Sequence, residues 1–500
     1  MNTTKTRFDT LTGMAALAAC ALGAAPAHAG GSGIWFTPLT ESAPVVAPND
    51  LAELAAPWAT PEGILQTNLL SLREVEDQVL SPMQSIVRVP AGSQGSMIDM
   101  IAYDPSGEFL FLPHETPFGA GVSRHDIQAR VTEVLFQGDQ KGQAGDWSHD
   151  YGAFDPCRFT PNDTLFLAEE WAGQGRVIEV LNPFAEPADI QVRELDSIAN
   201  VAHEGITFSK QDPRVIYFVD EYNSGSIYKF VMSRPGDYTR GQTFVLKVDA
   251  FAGNVTEDYN SATNASQPRT GPATWVPLTN AHGKPLPGIA NPFDNAALGG
   301  RTAADDAGGT PYGRPEDTEI GRLRNGREVV YFAATSENTV YSIEIGRGDK
   351  AVVRTLFSRA TPKNVGFPAT TGEIDSPDNL AQDALGNIYI VEDAPNGSNV
   401  GGDIWFARDA DNDGIAESVD HFMSIRADGC EATGMIFNPA KPTEFVVAVQ
   451  HPDSTDLAQV PNGLGDAVWR FDLSTIDNKA FLKRLEKAGR PRHKHDGKDW

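Results

Sequence analysis

Short runs rich in β-branched and aromatic residues recur along almost the whole chain, and this recurrence constrains the fold more than any other feature. Examples are "EFLFLP", "DTLFLAEE", "VIYFVDE", "EVVYFAA", "NIYIVED" and "EFVVAVQ". Gly, Pro, Asn and Asp bound the runs, as is typical of strands joined by tight turns. Helical periodicity is confined to residues 62–79 and to the tail after Thr475. The sequence therefore predicts an all-β protein.

The repeated unit, a Pro-containing turn before a strong strand, occurs about six times. It predicts a six-bladed β-propeller, in which similar antiparallel sheets surround a central channel. Two β-sandwiches in series are the alternative, and the repeat favours the propeller. We expect an N-terminal segment at 30–94, the propeller at 95–475 and a polar tail at 476–500, with a short helix and then disorder. The Gly-, Asn- and Pro-rich stretch 251–313 predicts a long insertion between blades.

The N-terminus has the features of a secretory signal peptide. Lys5 and Arg7 precede an apolar run, and "AHA" precedes Gly30. Residues 1–29 therefore predict an exported protein, periplasmic or extracellular, because the apolar run is too short for a membrane span. "LAAC", ending at Cys20, also resembles a lipoprotein cleavage box, but the apolar run continues past it to a better-formed site.

Charge and cysteine content limit the partners and the types of metal site. The formal net charge is −27, which argues against nucleic acid because phosphate backbones bind basic faces. We expect a monomer. An exported protein can oxidise Cys157 and Cys430 to one disulfide, and two free buried thiols are the equal alternative. The absence of a CxxC pattern excludes a zinc site of that type.

Acidic residues mark the ends of many strand-like runs. In a propeller, equivalent positions of successive blades converge on one mouth of the channel, so these acids are expected to meet. Like charges so close cannot all stay ionised without cations, and calcium takes six to eight oxygen ligands. His114 and His203 beside them are more often hydrogen-bonded structural residues than ligands. The candidate metal ligands are Glu115, Glu169, Glu170, Glu204, Asp220, Glu221, Glu316, Asp378, Asn379, Glu392 and Asp393.

Two further motifs carry chemistry. "DADNDGIAESVD" has the D-x-D-x-D-G spacing of a calcium loop, although Asp420 replaces the usual final Glu and no helix pair flanks it. It predicts a structural calcium site formed by Asp409, Asp411, Asp413, Ile415, Glu417 and Asp420.

"YGRPEDTEI" places Arg314 two residues before Glu316. Arg binds oxyanions and Glu binds hard cations, so the pair predicts an anion held beside a metal, with a surface salt bridge as the alternative.

Several blocks resemble the PhoX-type alkaline phosphatase family in order and spacing. They are "HETPFGAGVSR", "TLFLAEEW", "AHEGITFSKQDPRVIYFVDEYNSGSIYKFV", "RPED", "SPDNLA" and "CEATGMIFNPAKPTEFVVAVQHP". The resemblance covers roughly residues 95–475. It implies a secreted six-bladed propeller that hydrolyses phosphomonoesters on a cluster of calcium and iron ions.

The resemblance also implies roles for single residues. Arg314 matches the arginine that faces substrate phosphate, while Glu204, Glu316 and the Glu169–Glu170 pair match metal ligands. Family members with iron have Cys immediately before that pair, where this chain has Ala168. A thiolate favours soft or redox metals. Its absence therefore favours a centre with calcium alone, with more than one calcium ion, over a centre that contains Fe³⁺.

Three hypotheses about function follow. The first is an exported metal-dependent phosphomonoesterase that acts on a small phosphoester, with Arg314 and Glu316 in catalysis. The second is a calcium-dependent lactonase or esterase, which Asp378 and Asn379 would suit. The third is a non-catalytic binding propeller in which calcium is structural.

Overall fold

The computed structural model describes residues 33–45, 56–71, 98–170, 173–295, 298–393, 402–427, 429–450 and 466–489. The predicted signal peptide, Cys20 and the extreme C-terminus lie outside these residues. The described part contains 26 strands and two α-helices, so the chain is all-β as predicted.

The first half of the chain supplies fifteen strands. They are β1 (Trp58–Ala59), β2 (Leu65–Ser71), β3 (Ala102–Tyr103), β4 (Phe109–Pro113), β5 (Gly121–Asp126), β6 (Val131–Gln137), β7 (Phe154–Phe159), β8 (Leu165–Glu169), β9 (Val177–Val180), β10 (Val192–Glu194), β11 (His203–Phe208), β12 (Val215–Asp220), β13 (Ile227–Met232), β14 (Gly241–Val248) and β15 (Gly271–Pro277).

The second half supplies the remaining strands and both helices. They are α1 (Gly299–Ala307), β16 (Pro315–Arg322), β17 (Glu328–Ala334), β18 (Thr339–Ile345), β19 (Lys350–Ser358), β20 (Pro377–Gln382), β21 (Ile388–Glu392), β22 (Asp403–Arg408), β23 (Ser418–Ile425), β24 (Glu431–Phe437), β25 (Glu444–Gln450), β26 (Ala467–Asp472) and α2 (Lys479–Ala488).

The strands form antiparallel sheets whose order follows the chain. The sheets are β3-β4-β5-β6, β10-β9-β8-β7, β1-β23-β22-β21-β20, β2-β26-β25-β24 and a nine-stranded sheet, β11-β12-β13-β14-β15-β19-β18-β17-β16. The last contains two meanders of four strands that β15 connects, because β15 pairs with both β14 and β19. The hydrogen-bonded sheets of the described residues therefore number five rather than six.

The first strands of successive meanders lie side by side around a common centre. β7 contacts β3 and β11, β11 contacts β16, β16 contacts β20, and β20 contacts β24. The ring closes where Thr433 Oγ1 donates a 2.9 Å hydrogen bond to the carbonyl oxygen of Ile98, just before β3. This arrangement is propeller-like. Apolar side chains of adjacent sheets pack between them and form the core.

The N-terminal segment supplies the outermost strands of two sheets and does not merely lead into the ring. Residues 62–79 have helical periodicity, yet 65–71 form strand β2. β2 pairs antiparallel with β26, with Leu65 opposite Asp472. Backbone pairing with the C-terminal sheet thus outweighs the local pattern. Trp35 also stacks on Phe481 of α2, with ring centroids 4.6 Å apart.

The stretch 251–313, expected as an insertion, contains β15 and α1. The tail contains the expected short helix, α2. The possible disulfide between Cys157 and Cys430 is not present in the structure, in which both thiols are buried. Their Sγ atoms lie 3.8 Å from the carbonyl oxygen of Phe111 and 3.1 Å from that of Ala427.

Candidate metal centre

β-Bulges bring acidic side chains to the centre of the ring. In four of the inner strands, the pairing with the neighbouring strand shifts register immediately after the first residue. An acid occupies the next position: Asp155 in β7, Glu204 in β11, Glu316 in β16 and Asp378 in β20. A bulge adds one residue to a strand and re-aims its side chain. The equivalent bulge in β24 has Gly434 instead.

Six carboxylates lie close enough to share cations. Within three overlapping groups, Asp99–Glu115–Asp155, Asp99–Glu204–Asp378 and Asp155–Glu170–Glu204, one ligand oxygen from each residue lies within 4.8 Å of the others. Calcium binds oxygen at about 2.3–2.6 Å, so two of its ligand atoms can be separated by up to about 5 Å. The spacing therefore fits more than one cation held by oxygen ligands.

The carboxylates of this cluster also have unused ligand atoms. Asp155 Oδ1, Glu170 Oε2 and Asp378 Oδ1 are buried and accept no hydrogen bond. A buried polar atom without a partner carries a free-energy penalty of roughly 1–3 kcal/mol. The residues thus fit divalent cations, which would satisfy these oxygens.

Burial and mutual repulsion raise the pKa values across the cluster. Burial is the largest cause for Asp99, whose pKa rises to about 7. Burial likewise raises the pKa values of Asp155, Glu170, Glu204 and Asp378 well above the ordinary range, and neighbouring acids add to the rise. Without cations these groups cannot all be ionised together.

Arg314 lies at the edge of the cluster. Its Nε is 2.5 Å from Glu221 Oε1 and 3.1 Å from Glu316 Oε1, and its Nη1 is 3.8 Å from Asp393 Oδ2. Burial opposes its charge, but Glu316 and Glu221 outweigh burial and raise the pKa of the guanidinium. The side chain is still 40% exposed, so an anion that arrives from solvent can reach it. The backbone φ of Arg314 is 51°, a left-handed conformation that costs a non-glycine residue about 1–2 kcal/mol.

The first acid of each predicted pair makes other contacts. Glu169 forms a buried ion pair with Arg176, and Asp220 forms a bidentate pair with Arg301 at 2.7 Å. Glu392 accepts hydrogen bonds from the Trp405 indole and from two backbone N–H groups. Successive strand residues project to opposite faces. The structure therefore brings Glu170, and not Glu169, into the cluster, and it places Glu221 and Asp393 against Arg314.

Asn379 and the two histidines are held by hydrogen bonds. The amide of Asn379 donates to Asp99 Oδ1 at 2.9 Å, and its oxygen accepts from the N–H of Gly434 at 2.7 Å. This arrangement orients Asp99. His114 Nε2 lies 2.8 Å from Ser123 Oγ, and His203 Nε2 lies 3.1 Å from the Ala199 carbonyl oxygen. Burial lowers their pKa values to about 4 and about 3.

Asp99 and Asp155 were not predicted as ligands from the sequence. The signal was present, because "AFDPCRF" places Asp155 before a strand in the same way as "AHEGITF" places Glu204. "MIDMIAY" does the same for Asp99. The ligands predicted at strand ends were acids next to a second acid, a His or an Asn. A single acid before a strand was therefore missed.

The predicted calcium loop is the turn between β22 and β23. Ligand atoms of Asp409, Asp411 and Glu417 lie within 4.8 Å of one another. Asp413 Oδ1 accepts from the N–H of Ile415, whose side chain is exposed. Asp420 lies away from this group, because Arg408 holds both of its carboxylate oxygens at 2.9 Å.

Comparison with known proteins identifies the family. A model of the family described as alkaline phosphatase PhoX matches residues 126–453. This chain belongs to the PhoX alkaline phosphatase family. No curated protein sequence matches it.

Two solved structures are similar to this family member, and the first of them shares its fold. Pseudomonas fluorescens PhoX in complex with vanadate, a transition state analogue, is 15% identical with a TM-score of 0.57, over 91% of this chain and 99% of that chain. A gluconolactonase from Xanthomonas campestris is 11% identical with a TM-score of 0.40, over 89% and 98%. Neither of the two helices in the described residues is long and apolar enough to span a membrane.

Proposed function

We propose that this PhoX family member is an exported, metal-dependent phosphomonoesterase. The observation that supports the proposal most strongly is the juxtaposition of Arg314 with a buried group of carboxylates, of which Asp155, Glu170 and Asp378 each have one oxygen without a hydrogen-bond partner. A cation cluster and an arginine together complement a phosphate dianion. A lactone needs no such cationic clamp, so the phosphatase is preferred to the lactonase.

Different residues of the chain would hold the cations and bind the substrate. Asp99, Glu115, Asp155, Glu170, Glu204 and Asp378 would hold the cations, and Glu316 would join them to Arg314. When bound, the cations supply Lewis-acid polarisation of phosphoryl oxygens and stabilise developing negative charge. Arg314 would bind the phosphate oxygens that face solvent and stabilise charge in the transition state. Glu221 and Asp393 would keep its guanidinium in place.

We propose calcium as the main ion. The ligand groups in the described part of the chain consist of Asp and Glu alone, and calcium prefers such hard oxygen ligands. Ala168 is buried in the core between sheets, so no thiolate at this position offers iron a soft ligand. Counting the two meanders of the nine-stranded sheet separately would give the expected six blades.

The test uses the purified mature protein. We expect hydrolysis of 4-nitrophenyl phosphate, loss of activity after EDTA treatment and recovery with calcium, together with more than one calcium per chain by elemental analysis. Bis(4-nitrophenyl) phosphate and a γ-lactone serve as competing substrates. A calcium-loaded protein that hydrolyses only the lactone, or nothing, would overturn the proposal. N-terminal sequencing of secreted protein should begin at Gly30 if the export proposal is correct.

A further inference from the structure

A backbone hydrogen bond joins an exposed aromatic residue to the residue proposed to bind phosphate. Tyr222 directly follows Glu221, and its carbonyl oxygen accepts the N–H of Arg314 at 3.1 Å. Only two aromatic residues belong to the exposed large apolar side chains in the described residues, Tyr222 and Phe184. Phe184 packs near Phe109 and Phe111 on β4. Of the two, Tyr222 is thus the one whose backbone is bonded to Arg314.

The ring of Tyr222 has one face covered and a rigid support. The guanidinium carbon of Arg301 lies 3.9 Å from the ring centroid, a cation–π contact. Asp220 fixes that guanidinium with two hydrogen bonds of 2.7 Å. Tyr222 nevertheless remains 44% exposed. A large, fixed, half-exposed ring loses little conformational entropy when a ligand stacks on it.

The loop that carries Tyr222 is tied to the segment that carries Arg314. The N–H of Tyr312 donates to the Gly225 carbonyl oxygen at 2.9 Å, and the N–H of Gly225 donates to Tyr222 O at 2.7 Å. A Cβ at Gly225 would lie 1.7 Å from the Asp220 carbonyl oxygen, so only glycine permits this tight turn. The backbone of Tyr222 is therefore held in a fixed position relative to the backbone of Arg314.

From this arrangement we propose that Tyr222 is a specificity residue that stacks on the flat leaving group of the substrate. The substrate class is then phosphomonoesters of aromatic or heteroaromatic alcohols and nucleotides, in preference to esters of small aliphatic alcohols. The inference rests on the proposed function, because it assumes that phosphate binds beside Arg314. Stacking of a base on an aromatic side chain changes affinity by roughly 5- to 150-fold in other proteins.

The test compares substrate preference and not activity alone. We expect Tyr222→Ala to lower the ratio of kcat/KM for 4-nitrophenyl phosphate to that for glycerol 3-phosphate by about tenfold. Tyr222→Phe should retain the ratio, because the ring remains. Phe184→Ala, which removes the other exposed aromatic ring, is the matched control and should not change it. An unchanged ratio in Tyr222→Ala would overturn the inference.

A binding measurement separates this inference from the proposed function. Calorimetry with phenylphosphonate and methylphosphonate needs no turnover. We expect the wild type to bind phenylphosphonate about tenfold more tightly, and Tyr222→Ala to bind the two equally. Equal affinities in the wild type would overturn the inference while leaving phosphatase activity intact. A wild type that binds neither phosphonate and hydrolyses neither ester would overturn the proposed function, and the inference with it.

Discussion

Arg314 and Glu221 form an ion pair of 2.5 Å between the loop after β12 and the residue before β16, two separate meanders of one sheet. Glu221 is 10% exposed and Arg314 is 40% exposed, so the acid fixes a guanidinium that solvent still reaches. A fixed cation that solvent can reach thus lies beside buried carboxylates.

Replacing Arg314 should impair turnover without unfolding the protein. We expect Arg314→Ala to lower kcat/KM for 4-nitrophenyl phosphate by roughly 10²–10³-fold, the usual effect of removing one donor to transition-state charge. Arg214→Ala is the control, because Arg214 is 47% exposed and pairs only locally with Asp212. Steady-state kinetics and thermal melts test both. Full activity in Arg314→Ala would contradict the assigned role.

Substitution by Gln should affect metal content at Glu204 and stability at Glu169. Glu204→Gln should reduce bound calcium by at least one ion per chain, because Glu204 belongs to two ligand groups. Glu169→Gln should leave the metal content unchanged and lower the free energy of unfolding by roughly 3–5 kcal/mol, because it breaks a buried pair with Arg176. Elemental analysis and urea unfolding measure the two effects. Equal metal loss in both variants would contradict the assignment of Glu204 as a metal ligand and of Glu169 as a structural residue.

Metal-free protein should become less stable as pH rises. A carboxyl group with a raised pKa in the folded state binds a proton more tightly there than in the unfolded chain. Its stabilising contribution is complete below about pH 4, the ordinary carboxyl pKa, and is lost as pH rises through the folded pKa, about 7 for Asp99. Melting temperatures in EDTA should therefore fall across this window, and calcium should remove the fall. A melting temperature that rises with pH in EDTA would argue against the cluster.

Asn379 should act on metal affinity through Asp99. Asn379→Asp places a carboxylate where an amide now donates to Asp99 Oδ1, and loss of such an orienting partner weakens metal binding about 10–100-fold. Asn387→Asp is the control, because the amide of Asn387 donates to Asp383 in a turn of the same sheet. Competition with a calcium chelator gives both affinities. Identical affinities would show that Asn379 is only structural.

The loop between β22 and β23 should bind its own calcium. Asp411→Asn removes one carboxylate of the group formed with Asp409 and Glu417. We expect one calcium fewer per chain, a melting temperature lower by a few degrees in calcium, and unchanged phosphatase kinetics. The same substitution at Asp413, whose Oδ1 already accepts from Ile415 N, should have a smaller effect. A calcium count that stays the same in Asp411→Asn would show an acidic turn without metal.

The sequence by itself determined the strands, their turns and the positions of acids at strand ends. Runs of β-branched and aromatic residues and turns with Gly, Pro, Asn and Asp are local features, so β12 and β25 could be predicted from their own residues. The PhoX resemblance, and the prediction that acids distant in the chain converge, also came from the sequence alone. The sequence likewise led to the interpretation of Arg314 beside Glu316 as an anion-binding residue next to a metal ligand.

Only the tertiary structure decided which acid of each pair reaches the centre. Glu169 and Asp220 are held by Arg176 and Arg301, and Arg301 is 81 residues from its partner along the chain. The bulges that present Asp155 and Glu204 are defined only when a strand pairs with its neighbour. Likewise β2 is a strand because β26 lies beside it. Local sequence cannot specify a side-chain direction that depends on register and on partners supplied from other sheets.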